Sequence, residues 1–440
     1  MNIIYMHTHD TGRFIEPYGY NVPTPNLMNL AREGVLFRHA YCAGPTCSPS
    51  RSALLTGMTP HSAGMFGLAH RGFQMNDYSK HIVQFLNSNG FKTVLCGIQH
   101  EAPSSEMIGY DQVLDDQNYH MDDYDKDWTE WDLSRARMVA RYIKESDKSP
   151  FFLSFGMFNT HREFPLVSDT VNPNYVLPPH PLHDNHDNRV EMARFISSAK
   201  VVDQCVGIVL EALKESGRED DTLLIFTTDH GLAFPLMKCN LFDTGIGVSL
   251  IFKFPGDPQI GRVTDALVSH LDIFPTICDM VSIDKPEWLQ GKSLLPILKN
   301  QSDQIRTEVF SEVTYHAAYE PMRCIRTERY KLIKLFDDDT NIVPANIDDS
   351  LSKDFLLKNG YLRTNRDREM LFDLYLDPVE RINLINDKNY KDVYQELSSK
   401  LHQWMLDTND PLLEGPVEKP AGARVNTKSA LGPQSGVYAE

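Results

Sequence analysis

The chain has 440 residues, and its 43 Lys and Arg against 60 Asp and Glu leave a formal net charge of −17. That length exceeds one small core and suits a large α/β body with a smaller companion. A hydrophobic fraction of 41% excludes a disordered or collagen-like chain, and the acidic balance excludes a general nucleic-acid binder. No run of about 18 apolar residues occurs, so no membrane span is expected. Met1 leads directly into Ile3-Ile4-Tyr5-Met6 without a signal-like segment, and a cytoplasmic protein is expected. The seven cysteines are odd in number and include no C-x-x-C pair, which argues against a disulfide framework.

Asn2 to Met6 reads as an apolar strand ending in the polar loop His7-Thr8-His9-Asp10-Thr11-Gly12, the place where open parallel sheets bind ligands. Thr24-Pro25 has the form of an N-cap and first helical residue, Leu27, Leu30 and Ala31 supply a stripe, and Gly34 ends it. Val35 to Ala40 follows as a strand. Ser79 is expected to cap a helix bearing Ile82, Val83, Phe85 and Leu86, with Lys92 to Cys96 as the next strand. The alternation recurs with a helix over 131–145 and a strand over 151–155, then a helix over 190–216 and a strand over 222–228. It implies a mostly parallel sheet flanked by helices.

Beyond about Asn300 short strands are expected at 308–313, 322–325, 330–335 and 371–374, with a helix over 390–406. The expected organisation is an α/β domain over 1–303, a small C-terminal domain of antiparallel sheet plus helix over 304–415, and an extended tail over 416–440.

Cys47-Ser48-Pro49-Ser50-Arg51 continues into Leu55-Thr56-Gly57. Read physically, a Cys just before a Pro-initiated helix, with Arg51 one turn on, lies where backbone N–H groups gather partial positive charge; this favours a thiolate and an oxyanion. A helix-start Cys beside an exposed Arg is the bland alternative. The complete string resembles the signature of the type I sulfatases of the alkaline phosphatase superfamily. Gly291-Lys292-Ser293-Leu294-Leu295-Pro296, Leu371-Phe372-Asp373-Leu374, Asp377-Pro378 and Asn383-Leu384 are similar to later landmarks of that family. Gly64-Met65-Phe66-Gly67-Leu68, Phe234-Pro235 through Asn240-Leu241, Pro321-Met322-Arg323, Trp404 and Asp410-Pro411 resemble the sulfamidase branch, which favours an amino-sugar sulfate.

The resemblance implies that Cys47 becomes formylglycine through a formylglycine-generating or sulfatase-maturing enzyme. It implies a divalent metal on His9, Asp10, Asp229 and His230 around residue 47, and a catalytic set of Cys47, Arg51, His100, His161 and Lys238. The hydrated aldehyde attacks sulfur, His161 assisted by Lys238 protonates the leaving group, and His100 takes the proton that lets the aldehyde reform. The commoner family pattern binds Ca²⁺ through oxygen; two imidazoles suit Mn²⁺ or Zn²⁺ better. The family's Lys after the strand-ending Gly is matched by Ile98, so either Arg71 or Arg162 takes over as the cation or the leaving group and substrate charge differ from those of ordinary arylsulfatases. Three other readings are to be tested. His230 and Ile98 keep a phosphonate monoester or phosphodiester hydrolase in play, the His7-x-His9 pair suggests a metal amidohydrolase in a (β/α)₈ barrel, and loss of the cation at Ile98 suggests a non-catalytic sugar binder. The expectation is a sulfatase acting on a small sulfated saccharide, N-sulfoglucosamine first, with no nucleic-acid or membrane partner and homo-oligomerisation left open.

Overall fold

The computed structural model describes residues 1–121, 123, 126–256 and 261–439; position 440, the end of the expected tail, lies outside the described residues, as do 122, 124, 125 and 257–260. Eight strands form the main sheet: β1 (Asn2–Thr8), β2 (Val35–Tyr41), β3 (Lys92–Gly97), β4 (Gln112–Val113), β5 (Phe151–Gly156), β6 (Thr222–Thr228), β7 (Leu250–Lys253) and β8 (Arg262–Ser269). Their order is β4-β3-β5-β1-β6-β7-β2-β8. Every pairing is parallel except those of β7, which runs antiparallel to both β6 and β2.

All seven residues of β1 are buried, which is why the strand reads as a continuous apolar run. Its side chains still alternate: Ile4 and Met6 pack with Leu27, Val139 and Val202 from helices on one face, whereas Ile3 and Tyr5 join the core on the other. That second core includes Leu54, Val83 and Phe274 and continues into Val309, Met322, Ile333 and Phe372 of the smaller sheet. The smaller sheet is β9 (Glu308–Tyr315), β10 (Tyr319–Thr327), β11 (Tyr330–Leu335) and β12 (Glu369–Asp373), antiparallel in the order β12-β11-β10-β9. The Lys391–Asp407 helix covers it through Leu397 and Leu401.

Helix starts differ from expectation where an unread cap takes over. His81, not Ser79, caps the Ile82–Ser88 helix, its Nδ1 accepting from the Val83 N–H; Ser79 lies in a preceding 3₁₀ turn. Asp127 moves the next start to Trp128 by accepting from Thr129 and Glu130, and Asn185 moves the long helix to His186–Glu215. The segment from Pro416 lies against the body. Ala423 and Val425 pack with Met65, Phe73 and Tyr315, and the Asn426 N–H donates to Ala317 O at 2.7 Å.

Candidate active site

Strands β3, β5, β1 and β6 are neighbours, so the loops leaving their carboxyl ends converge by topology alone. These loops carry His100, His161, the His9-Asp10 pair and the Asp229-His230 pair. The Cys47–Thr56 helix inserts its first residue among them. Cys47 is itself helical and Pro49 is the third helical residue, so the expected order of Cys before a Pro-initiated start is corrected by one turn position. All ten residues of this helix are buried, Arg51 included, which removes the reading of an exposed Arg.

The donor atoms crowd together. One ligand atom from each of His9, Asp10, Cys47 and Asp229 falls within 4.8 Å of the others. His230 Nε2 is 3.4 Å from Cys47 Sγ and 3.2 Å from Asp10 Oδ1. His9 Nδ1 is 3.2 Å from Asp229 Oδ2. Yet neither ring nitrogen of His9 nor Asp10 Oδ1 makes a hydrogen bond, although each is buried. Buried polar atoms without partners are costly, and close but misaligned donors suit a cation at their centre. The residues present therefore fit a divalent metal.

Burial, with Arg51 adding to it, drives His9 well below the usual imidazole range, leaving it neutral as a metal ligand requires. Burial also pushes the Cys47 thiol well above its ordinary value; Lys238 and Arg51 pull it down but do not win. The thiolate favoured by helix position alone is thus corrected: desolvation outweighs the helix terminus. For Lys238, burial alone would depress the ammonium, but Asp10 and Asp348 overcome it and raise it well above the usual range. Its Nζ lies 3.1 Å from Asp10 Oδ2 and 3.0 Å from Asp348 Oδ2.

Arg51 spends its guanidinium on the two loops. It reaches His7 Nδ1 at 2.5 Å, Thr8 O at 2.8 Å and Asp229 Oδ2 at 3.0 Å, bracing both loops that carry the candidate ligands. His7, whose Nε2 lies 3.2 Å from Ser154 Oγ, belongs to this brace, and the open sheet rules out the barrel that a His7-x-His9 amidohydrolase requires.

Gly97 ends β3 at φ +83°, and a Cβ there would sit 2.1 Å from Gly156 O. The turn sends Ile98 into an apolar cluster with Met121, Trp128, Trp131 and Phe158, and delivers His100 to the cavity beside Cys47. His161 donates Nδ1–H to Arg162 O at 2.5 Å, so its Nε2 is the free nitrogen. Of the two replacement cations, Arg162 is committed elsewhere: it pairs with Glu191 at 2.8 Å and donates to Ala233 O. Arg71 does line the Cys47 cavity while donating to Asn426 Oδ1 and Pro433 O.

The cavity, about 50 Å³, also holds His70, His316, Asp348, Pro433 and Gln434, none of which sequence reasoning singled out. Asp348 is placed by a relay. Glu191, held by Arg162, accepts from the backbone N–H groups of Leu351 and Ser352 and so fixes the start of the Leu351–Lys358 helix just beyond Asp348. A larger apolar cavity of about 790 Å³, walled by Tyr20, Tyr175, Phe242 and Tyr361, contains none of the predicted site residues.

A family model described as Sulfatase matches residues 2–283, and one described as N-sulphoglucosamine sulphohydrolase, C-terminal, matches residues 233–348. The chain is 29% identical to human N-sulphoglucosamine sulphohydrolase, over 92% of this chain and 90% of that protein. A solved structure in complex with its substrate D-glucosamine-2-N,6-O-disulfate superposes with a TM-score of 0.73 at 19% identity, covering 95% of this chain and 99% of the other. The phosphonate monoester hydrolase of Agrobacterium radiobacter superposes at 0.72 with 20% identity, covering 95% and 99%. Likeness at those identities speaks for the shared fold. The first match spans well over half the sequence and includes every strand of the large sheet and all the converging loops: the chain belongs to the sulfatase family.

Proposed function

We propose that this protein hydrolyses the sulfamate or sulfate ester of a small sulfated amino sugar, N-sulfoglucosamine first, with Cys47 oxidised to formylglycine by a maturation enzyme. The observation that carries the reading is the convergence on Cys47 of buried His9, Asp10, Asp229 and His230, with unpartnered donor atoms on His9 and Asp10, beside a cationic Lys238. The 29% identity to human N-sulphoglucosamine sulphohydrolase supports the amino-sugar substrate. Among the described residues no helix is long and apolar enough to cross a membrane.

His9, Asp10, Asp229 and His230 would hold one divalent metal, and the two imidazoles favour Mn²⁺ or Zn²⁺ over Ca²⁺. When bound, that ion neutralises sulfuryl oxygens and acidifies the hydroxyl that the hydrated aldehyde supplies. The chain's own groups do the rest. Lys238, fixed between Asp10 and Asp348, sets a permanent positive charge at the cavity wall for a sulfate oxygen or the departing atom. His161 keeps Nε2 bare and is held below the usual imidazole range by burial. Entry of an anionic substrate raises its proton affinity, after which Nε2–H can protonate the departing amine or alcohol. His100, also driven down by burial, is neutral and accepts a proton. Arg51 acts through Asp229 and His7 as a positioning residue.

His230 and the apolar Ile98 also suit a phosphorus ester. The deciding experiment measures inorganic sulfate from N-, 2-O-, 3-O- and 6-O-sulfated glucosamine, alongside phosphonate monoester and phosphodiester hydrolysis. N-sulfoglucosamine is expected to exceed each O-sulfate in kcat/KM by about tenfold or more. Cleavage of phosphorus esters alone would replace this reading.

A further inference from the structure

His100 enters the Cys47 cavity with only one ring nitrogen engaged. Its Nε2 lies 2.7 Å from Nδ1 of His70, whereas its own Nδ1 is buried without a partner. The two rings are within 19° of coplanar with centroids 5.0 Å apart, which is the arrangement of an in-plane N–H···N bond. His70 is held for this contact. The Ala69 N–H donates to Ser48 Oγ at 2.9 Å, so the segment bearing His70 is tied to the residue next to Cys47, and Arg424 donates to His70 O at 2.9 Å.

Of the two facing nitrogens, one carries a proton and the other a lone pair. Neutral imidazole in water favours the Nε2–H tautomer. With both rings in that form, His100 donates Nε2–H to the bare Nδ1 of His70. The reverse arrangement needs both rings in the less favoured Nδ1–H form. The favoured pair leaves the buried Nδ1 of His100 as a lone pair, on a residue that lines the cavity shared with Cys47.

We propose that His70 is a positioning residue for catalysis: by accepting the His100 Nε2–H it fixes His100 in the tautomer whose Nδ1 accepts a proton at the Cys47 site. This rests on the sulfatase reading above for what His100 does, but not for which tautomer it adopts. It adds His70, half-buried and outside the converging strand loops, to the working parts of the site.

The test compares His70→Ala, His70→Asn and His70→Gln. An Asn side chain places its amide near the former Nδ1, so its oxygen can accept from His100; Gln places its amide nearer the former Nε2. H70A is expected to lower kcat for sulfate release about 10–100-fold with KM little changed, H70N to recover most of the loss, and H70Q less. In parallel, ¹⁵N shifts of the His100 ring in the unmodified protein should report one Nε2–H tautomer in the native chain and a mixture in H70A. An unchanged kcat in H70A, equal losses in folded H70A and H70N, or an unchanged His100 tautomer would each overturn the proposal. If H70A fails to fold, the H70N and H70Q pair decides by the same ordering. If the native chain releases sulfate from nothing, the functional reading fails, and the ring shifts still decide what His70 does.

Discussion

Cys47 is 1% exposed and its thiol is held protonated by desolvation, so as plain cysteine it is a weak nucleophile despite starting a helix. On the proposed reading, the chemistry would depend on converting it. Protein co-produced with a maturation enzyme is expected to be about 18 Da lighter at the peptide containing residue 47. Cys47→Ala is expected to keep the fold, because one buried sulfur is lost from an otherwise intact helix, and to abolish sulfate release; turnover by C47A, or by protein lacking the mass change, would remove residue 47 from the mechanism. The residues around it were legible to different degrees. His9, Asp10, Asp229 and His230 end long apolar strands, so their clustering follows from strand order. His70 and Asp348 follow from no local pattern: one sits in a 3₁₀ turn and the other precedes a Ser-capped helix, and only tertiary contacts bring them in. Arg51 was visible in the signature, but its direction was not. It braces His7 and Asp229 and is 2% exposed.

At the scale of elements, the loop after β5 delivers His161, and it is held by Asp132 on the Trp128–Glu145 helix. The Asp132 carboxyl accepts from the backbone N–H of Phe158 and of Asn159, both at 2.9 Å, and from Asn159 Nδ2 at 2.7 Å. Burial pushes this carboxyl up to about 7, with the three hydrogen bonds and Arg135 pulling the other way. An acid whose folded pKa lies above its unfolded value near 3.9 binds more protons in the native state between those two values. Stability from this group is therefore greatest below about pH 4, falls as pH rises toward 7, and is level above. Urea unfolding at pH 5 and pH 8 should show the native chain's advantage over Asp132→Asn to be larger at pH 5, by about 2–3 kcal/mol. An advantage independent of pH would mean the carboxyl is ionised throughout. Elements read correctly from sequence were those with unbroken buried runs, such as Thr222–Thr228 and Phe151–Gly156, or with paired punctuation, such as Pro25–Glu33. The four-residue β7 carries too few positions for a period, and it runs antiparallel where alternation suggested a parallel neighbour.

Across the whole molecule, several segments that resemble sulfamidases turn out to join its parts. Arg323 lies between Asp410, at 2.6 and 3.0 Å, and Glu312, while Glu312 also takes the His61 backbone N–H at 2.7 Å. Trp404 stacks on Phe310 and meets the His61 ring edge-on. Pro321-Met322-Arg323, Trp404 and Asp410-Pro411 therefore secure the smaller sheet to the loop after the Cys47 helix and say nothing direct about sugar. On the reading proposed above, substrate size would be set where distant segments wall the cavity, by His316 and Asp348 and by Pro433 and Gln434 of the C-terminal segment. A volume of about 50 Å³ is far below the roughly 300–1,000 Å³ of ordinary ligand sites. On the same reading a sulfate group would enter and the sugar ring would meet this wall. A chain ending at Ala430 removes Pro433 and Gln434 but keeps Ala423 and Val425 in their apolar cluster. Its kcat/KM for a sulfated disaccharide relative to the matching monosaccharide is expected to rise about tenfold, the range that one or two lost wall contacts can supply. An unchanged ratio, with the monosaccharide still turned over, would place the size limit on His316 and Asp348 instead.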